Sequence, residues 1–342
     1  MPTMNTTPTP AAPRADQACA ETAPLPFPPR NILVPLDFSP HSFKALRYAE
    51  ALARQFGSRL HLLHVTEPIA YPTDLGYAPV ISGELETELQ RGVRQRLDAL
   101  LAEVKARGLA VEGSLRVGRP FAEIAEAAAA GKVDLVVVTT HGFTGLKHVL
   151  LGSTAERVVR HSPCPVLVVR DLEHEFVKTA AGDETPRADQ KPAAPLVLKC
   201  VLVPLDFSAP SRQALAYASR LAGQFQAALL LVHVMELPYP DPSVTEIDTR
   251  AIEDATRQTA QEQLAKVEAL SRAAGRPVTT ELLTGSPWNE VADYARREAA
   301  DLIVAGTHGY TGLKHALLGS TAERIVRHAP CPVLVVREAP AA

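Results

Sequence analysis

Residues 141–170 read HGFTGLKHVLLGSTAERVVRHSPCPVLVVR, and residues 308–337 read HGYTGLKHALLGSTAERIVRHAPCPVLVVR. The two stretches agree at 26 of 30 positions. Upstream, NILVPLDFS (31–39) matches CVLVPLDFS (200–208), LHLLHVTE (60–67) matches LLLVHVME (229–236), and RVGRP (116–120) matches LTGSP (283–287). The offset is 169 residues early and 167 late, so the copies differ by two residues of loop. So long a period is not that of a solenoid; the chain carries a duplicated domain. Its 342 residues suit two domains of about 150 residues each with a linker. The copies span 31–170 and 197–337. Residues 1–30 hold eight prolines and no apolar leader, and are expected to form a disordered tail. Residues 171–196 are charged and rich in Pro and Ala with no periodicity, as a linker is, and 338–342 form a short second tail.

Within each copy, strand and helix patterns alternate. In the first, Ile32–Leu36 is an apolar run, and Ser39 followed by Pro40 signals a helix start. Ala45, Tyr48, Ala49, Leu52, Ala53 and Phe56 recur at helical spacing, and Gly57 ends that helix. Strands are expected at 60–65, 111–117, 133–139 and 165–169, with helices at 84–107, 120–130 and 153–161. Val133–Thr139 is apolar enough to be buried on both faces. Five strands alternating with helices imply an α/β fold with a parallel, doubly wound sheet in each copy.

Composition narrows the function. Lys plus Arg number 35 and Asp plus Glu 38, a formal charge of −3, and aromatics make up 5%. Nucleic acid and anionic membranes call for clustered positive charge or stacking platforms, so neither is expected as a partner. No apolar run approaches the ~20 residues that span a bilayer, and four cysteines outside any disulfide pattern read as the reduced thiols of a cytoplasmic protein. Cys19, Cys164, Cys200 and Cys331 form no CxxC pair and no disulfide framework.

A doubly wound sheet binds its ligands outside the carboxyl ends of the strands, where the strand order reverses. Pro35 and Asp37 follow the first strand there, as Pro204 and Asp206 do in the second copy. A Gly-rich loop follows the fourth strand. In the second copy it reads Gly306-Thr-His-Gly309, nine residues, then Gly319-Ser320. Glycines let backbone N–H groups approach a ligand, and a helix N-terminus offers partial positive charge to phosphate. An acidic residue such as Asp206 can accept hydrogen bonds from ribose hydroxyls.

Taken with VPLDFS, the HV strand end and GSTAER, this pattern resembles the universal stress protein family in its tandem two-domain form. The resemblance covers about 280 residues and leaves out tails and linker. It implies Rossmann-like domains of the adenine nucleotide alpha hydrolase type. The family's ATP-binding members carry G-x2-G-x9-G-[ST], which Gly306, Gly309, Gly319 and Ser320 match in full. By that resemblance Asp206 contacts ribose, Pro204, Val234 and Ala305 wall the adenine, and Gly306, Gly309, Gly319, Ser320 and Thr321 hold phosphates and ribose. The first-copy equivalents are Pro35, Asp37, Val65, Val138, Gly142, Gly152, Ser153 and Thr154. The implied ligand is ATP, or AMP or ADP, with Mg²⁺ carried mostly on phosphate oxygens and water. The last strands pair antiparallel between domains in the family, which implies an internal pseudo-dimer, with further association of two chains as a second step.

The first copy departs from the motif where Thr139 stands in place of Gly306. If that backbone needs positive φ, a β-branched residue there costs about 1–3 kcal/mol and the first site is the weaker. If φ is negative, Thr139 is harmless and its hydroxyl can meet phosphate. Plainer readings stand beside the sharp ones. Ser153 and Ser320 open S-x-x-E capping boxes with Glu156 and Glu323. Asp37 and Asp206 can cap the first helix. His64, His233, His141, His308, His161 and His328 lack metal-ligand spacing, and positive charge at His161 and His328 suits a helix C-terminus. Lys147, His148, Lys314 and His315 lie within the loop and can either reach phosphates or stand as solvated loop charges. Cys164 and Cys331 read as small buried residues.

Three functions remain: a nucleotide-binding stress-response regulator, a slow ATPase or ATP-dependent transferase, and a nucleotide-free dimerisation scaffold. The chain has no Walker GxxxxGK[ST], kinase HRD or DFG, SGGxDS or HxGH loop. No catalytic or metal-ligating residue is therefore assigned, and efficient turnover is not expected.

Overall fold

The computed structural model describes residues 25–67, 70–73, 76–79, 83–140, 152–170, 174–177, 196–236, 249–272, 277–307 and 319–337. The first copy runs β1 (Asn31–Pro35), α1 (Pro40–Phe56), β2 (Arg59–Thr66), a hairpin of β3 (Ala70–Thr73) and β4 (Gly76–Pro79), and α2 (Gly83–Ala106). It continues with β5 (Val111–Val117), α3 (Pro120–Ala130), β6 (Leu135–Thr139), α4 (Ser153–His161) and β7 (Val166–Val169). The second copy repeats this with β8 (Cys200–Pro204), α5 (Ala209–Phe225), β9 (Ala228–Met235), α6 (Thr249–Arg272) and β10 (Val278–Thr284). It ends with α7 (Pro287–Arg297), β11 (Leu302–Gly306), α8 (Ser320–His328) and β12 (Val333–Val336).

Local chemistry explains the boundaries. Ser39 caps α1 by accepting the Ser42 N–H at 3.2 Å, and Gly57 closes it at φ 69°. Ser208 accepts the Ser211 N–H at 3.3 Å in the same way. The fourth strand starts at Leu135 rather than Val133. Before it, Asp134 Oδ2 accepts the N–H groups of Arg30 (2.8 Å) and Asn31 (2.9 Å), which ties the entrance of β6 to that of β1. Asp301 does the same for Lys199 (2.7 Å) and Cys200 (2.9 Å).

Among the described residues ten strands form one sheet, in the order β10-β9-β8-β11-β12-β7-β6-β1-β2-β5, and β3 and β4 stand apart as a two-stranded hairpin. Each half is parallel, and its order reverses beside the first strand, between β1 and β6 and between β8 and β11. The halves join through β7 and β12, which pair antiparallel: Val168 with Val333, Leu167 with Leu334, Val166 with Val335. Leu167 and Leu334 are the same position in the two copies, so an approximate two-fold axis passes through their pairing. The sheet therefore spends its two apolar edge strands inside the chain, which leaves β5 and β10 at its ends.

Side chains tie the halves further. Arg160 Nη2 lies 2.8 Å from Glu156 and 3.0 Å from Glu323, while Arg327 Nη2 lies 2.7 Å from Glu323 and 3.4 Å from Glu156. Arg170 donates to Val326 O (3.2 Å) and Arg337 to Ser162 O (2.9 Å), so each copy's strand end caps the other's short helix. Replacing Glu156 and Glu323 together by Gln is expected to cost about 1–2 kcal/mol, less at high salt because the four groups are partly exposed. Urea unfolding at low and high salt checks this; unchanged stability at low salt refutes it.

The N-terminal boundary differs from expectation. Residues 25–30, assigned to the tail from composition, pack against both copies. Leu25 is buried, and Phe27 meets Tyr217 at 5.3 Å and Phe56 at 5.7 Å, edge to face. The linker likewise contributes Phe176, which packs on Tyr48 at 4.9 Å. Among the described residues, no helix is long and apolar enough to cross a membrane.

Candidate functional site

At the carboxyl ends of β1 and β6, where the first half's strand order reverses, lies a cavity of about 400 Å³. That is within the usual range for a small-molecule pocket. Pro35, Asp37, Val65, Val138, Gly152, Ser153 and Thr154 all line it. The eighth first-copy candidate, Gly142, lies outside the described residues. In the second copy Pro204 ends β8, Asp206 follows it, Val234 lies in β9, Ala305 and Gly306 end β11, and Gly319, Ser320 and Thr321 open α8. Gly309 lies outside the described residues, as do Lys147, His148, Lys314, His315, His141 and His308.

The carboxylate sits in a tight turn. Asp37 Oδ1 accepts from the Ser39 N–H (2.9 Å) and hydroxyl (2.5 Å). Asp206 Oδ1 accepts from Ser208 at 3.0 and 2.6 Å. The Asp residues thus brace the N-cap serine rather than cap the helix themselves. The next residue pays for the turn's sharpness: Phe38 has φ 59° and Phe207 φ 62°. A bulky residue in the left-handed region costs about 1–3 kcal/mol, and such strain is concentrated at functional sites.

A helix N-terminus also borders the cavity. The Gly152 N–H donates to Thr140 O at 2.7 Å, and Gly319 to Thr307 O at 2.7 Å. A Cβ on Gly152 would stand 3.0 Å from Thr140 O, so glycine permits this approach. Gly152 and Gly319 are the N-caps of α4 and α8, and neither helix has a side-chain cap. The capping-box expectation is therefore corrected. Ser153 and Ser320 occupy the first helical position, and Glu156 and Glu323 are drawn into the ion-pair network between the halves. Ser153 and Thr154 at the start of α4 border the same cavity as Asp37.

Thr139 also lines the cavity. It ends β6 in extended conformation, paired with Val169, and is not among the positive-φ residues. Gly306, paired with Val336, likewise has no positive φ. The condition under which Thr139 would strain the first site is not met. Instead, glycine at 306 serves space: a Cβ there would lie 2.9 Å from the backbone C and O of Pro210.

Sequence reasoning missed Glu67, Pro120 and Ile124 on the cavity wall. A signal was present, since Glu67 recurs as Glu236 and Pro120 as Pro287 at the same offsets. The two PCP cysteines are buried, and burial pushes the Cys164 thiol up to about 11 and Cys331 higher still. His328 stacks on Trp288 at 4.7 Å; burial, then the neighbouring arginines, lower its pKa, so the positive charge expected at this helix end is disfavoured.

The family model described as universal stress protein family matches residues 29–170 and again 198–337. Universal stress protein MJ0531 of Methanocaldococcus jannaschii is 37% identical over 140 residues, covering 41% of this chain and 82% of its own. Universal stress protein Rv2623 of Mycobacterium tuberculosis is 29% identical over 321 residues, covering 90% of this chain and 96% of its own. The crystal structure of a universal stress protein from Archaeoglobus fulgidus superposes with a TM-score of 0.63 at 23% identity, covering 90% of this chain and 96% of that one, a likeness of fold.

Proposed function

Since the chain belongs to the universal stress protein family, with two copies of its domain, we propose that it is an adenine-nucleotide-binding regulator of a stress response. Membership supports the stress-response role. The nucleotide reading rests on one observation: a cavity at the strand-order reversal whose lining includes both an aspartate, Asp37, and the first residues of a helix, Ser153 and Thr154. An adenylate has the matching polarity. Ribose hydroxyls donate to Asp37, phosphates accept from the α4 N-terminus, Ser153 and Thr154, and the base lies on Pro35, Val65 and Val138. Among the described residues no three His, Cys, Asp or Glu side chains cluster as metal ligands, so a Mg²⁺ arriving with ATP would be held by its phosphates.

Calorimetric titration of the full chain with ATP, ADP and AMP tests the reading. Binding at micromolar to millimolar concentration is expected, and Asp37→Asn together with Asp206→Asn should weaken it about tenfold or more through loss of a charged hydrogen-bond acceptor. No heat at millimolar nucleotide refutes it. Turnover near about 10 per second would make the protein an enzyme instead.

A further inference from the structure

We propose that His64 and His233, which touch no expected ligand atom, are positioning residues that hold the carboxylates of Asp37 and Asp206 in the orientation a ribose requires. The proposal rests on the nucleotide reading above. Side chains alternate along a strand. Leu63 and Val65 of β2 therefore line the cavity, while His64 between them faces the turn that carries Asp37. Its Nδ1 lies 2.7 Å from Leu36 O, and Nδ1 of His233 lies 2.6 Å from Leu205 O. A carbonyl only accepts, so Nδ1 carries the proton in each case. The same imidazole packs on the next aromatic ring: His64 on Phe38 at 5.0 Å and 35°, His233 on Phe207 at 4.6 Å and 34°.

Each histidine thus grips the residue before the aspartate by a hydrogen bond and the residue after it by its ring face. The gripped aromatic is the strained one, Phe38 or Phe207. Released, it would relax to negative φ, rotating the peptide that joins it to the aspartate and carrying the carboxylate off the cavity wall. The serine bonds to Oδ1 do not prevent this, because they belong to the same turn and move with it. The arrangement occurs twice, although the chain beyond the turn differs, Ser39-Pro40-His41 in one copy and Ser208-Ala209-Pro210 in the other.

The test compares ATP with 2′,3′-dideoxy-ATP on the full chain, the ratio of their affinities reporting the ribose contact. The variant with both Asp37→Asn and Asp206→Asn sets the ratio when that contact is lost. His64→Phe with His233→Phe keeps a flat ring and removes the donor; His64→Asn with His233→Asn keeps a donor near the place of Nδ1. The Phe pair is expected to lose about tenfold in ATP affinity, the scale of one hydrogen bond to a charged group, with dideoxy-ATP affinity nearly unchanged. The Asn pair should recover most of the ratio. If the Phe pair does not fold, His64→Gln with His233→Gln, whose amide reaches past the carbonyl, should lose the ratio likewise. An unchanged ratio, or equal losses for both nucleotides, overturns the proposal while leaving the nucleotide reading intact. No binding of ATP by the unsubstituted chain overturns both.

Discussion

Leu334→Asp is expected to cost about 4 kcal/mol or more, a large part of the 5–15 kcal/mol that a folded domain usually commands. Leu334 is 4% exposed and pairs with its own equivalent, Leu167, at the approximate two-fold axis. Both residues border an apolar void of about 30 Å³ shared with Phe27, Phe176, Tyr217 and Leu302. A carboxylate there loses the leucine's contacts and finds no cation on the wall, so desolvation goes uncompensated. Because β7 and β12 are each half's link to the other, the damage falls on the joint between the copies. Urea unfolding should show a lower midpoint, with the two halves losing their common transition. Leu334→Met, of similar volume, should cost under about 1.5 kcal/mol. A Leu334→Asp chain that unfolds in one transition at the parent's midpoint would show that the ten-stranded sheet does not join the copies.

Gly306→Thr, which writes the first copy's residue into the second, is expected to destabilise the second copy by about 1–3 kcal/mol through overpacking. The new Cβ would meet Pro210 C and O at 2.9 Å, and those atoms belong to the first turn of α5, which cannot swing aside as a long side chain can. The shift passes to Ser208 and through it to Asp206, so nucleotide affinity at the second site should fall about tenfold, the equivalent of 1.4 kcal/mol. Thr139→Gly is the milder exchange. It removes a β-branched residue from a strand end for about 0.5–1 kcal/mol, and no left-handed strain is relieved because Thr139 is extended. Thermal unfolding and binding stoichiometry of both variants check this. Gly306→Thr with parental stability and full affinity at its own site would refute it.

Much of the fold was legible because repetition and hydrophobic period are local facts. The 26-of-30 match announced two copies, and alternating apolar runs and amphipathic helices announced a parallel sheet. The expected strands and helices fell within two residues of place, the β3–β4 hairpin was not foreseen, and Val133 is buried but precedes the ladder, because Asp134 fixes where pairing begins. The capping-box reading of Ser153 failed for a physical reason. Glycine at 152 takes the N-cap position, and Glu156 is drawn to Arg160 at 2.8 Å and, across the junction, to Arg327 at 3.4 Å, a partner 171 residues away that no local pattern contains. Thr139 shows the same limit, since its effect depends on a φ angle and on the neighbour of Gly306, neither written in the motif.

From the sequence alone came the duplication, the α/β class, the crest of the sheet and most residues gathered on it, because those depend on residue identity, period and spacing, which need no knowledge of how distant segments meet. Tertiary structure decided the rest: that the junction the family resemblance implied centres on Leu167 and Leu334, that Phe27 packs on the core of both copies, that His64 and His233 brace a strained turn, and that Gly306 is needed for room rather than for φ. Each of those is a contact between segments far apart in the chain, whose energy exists only once other elements have brought the partners within a few ångströms.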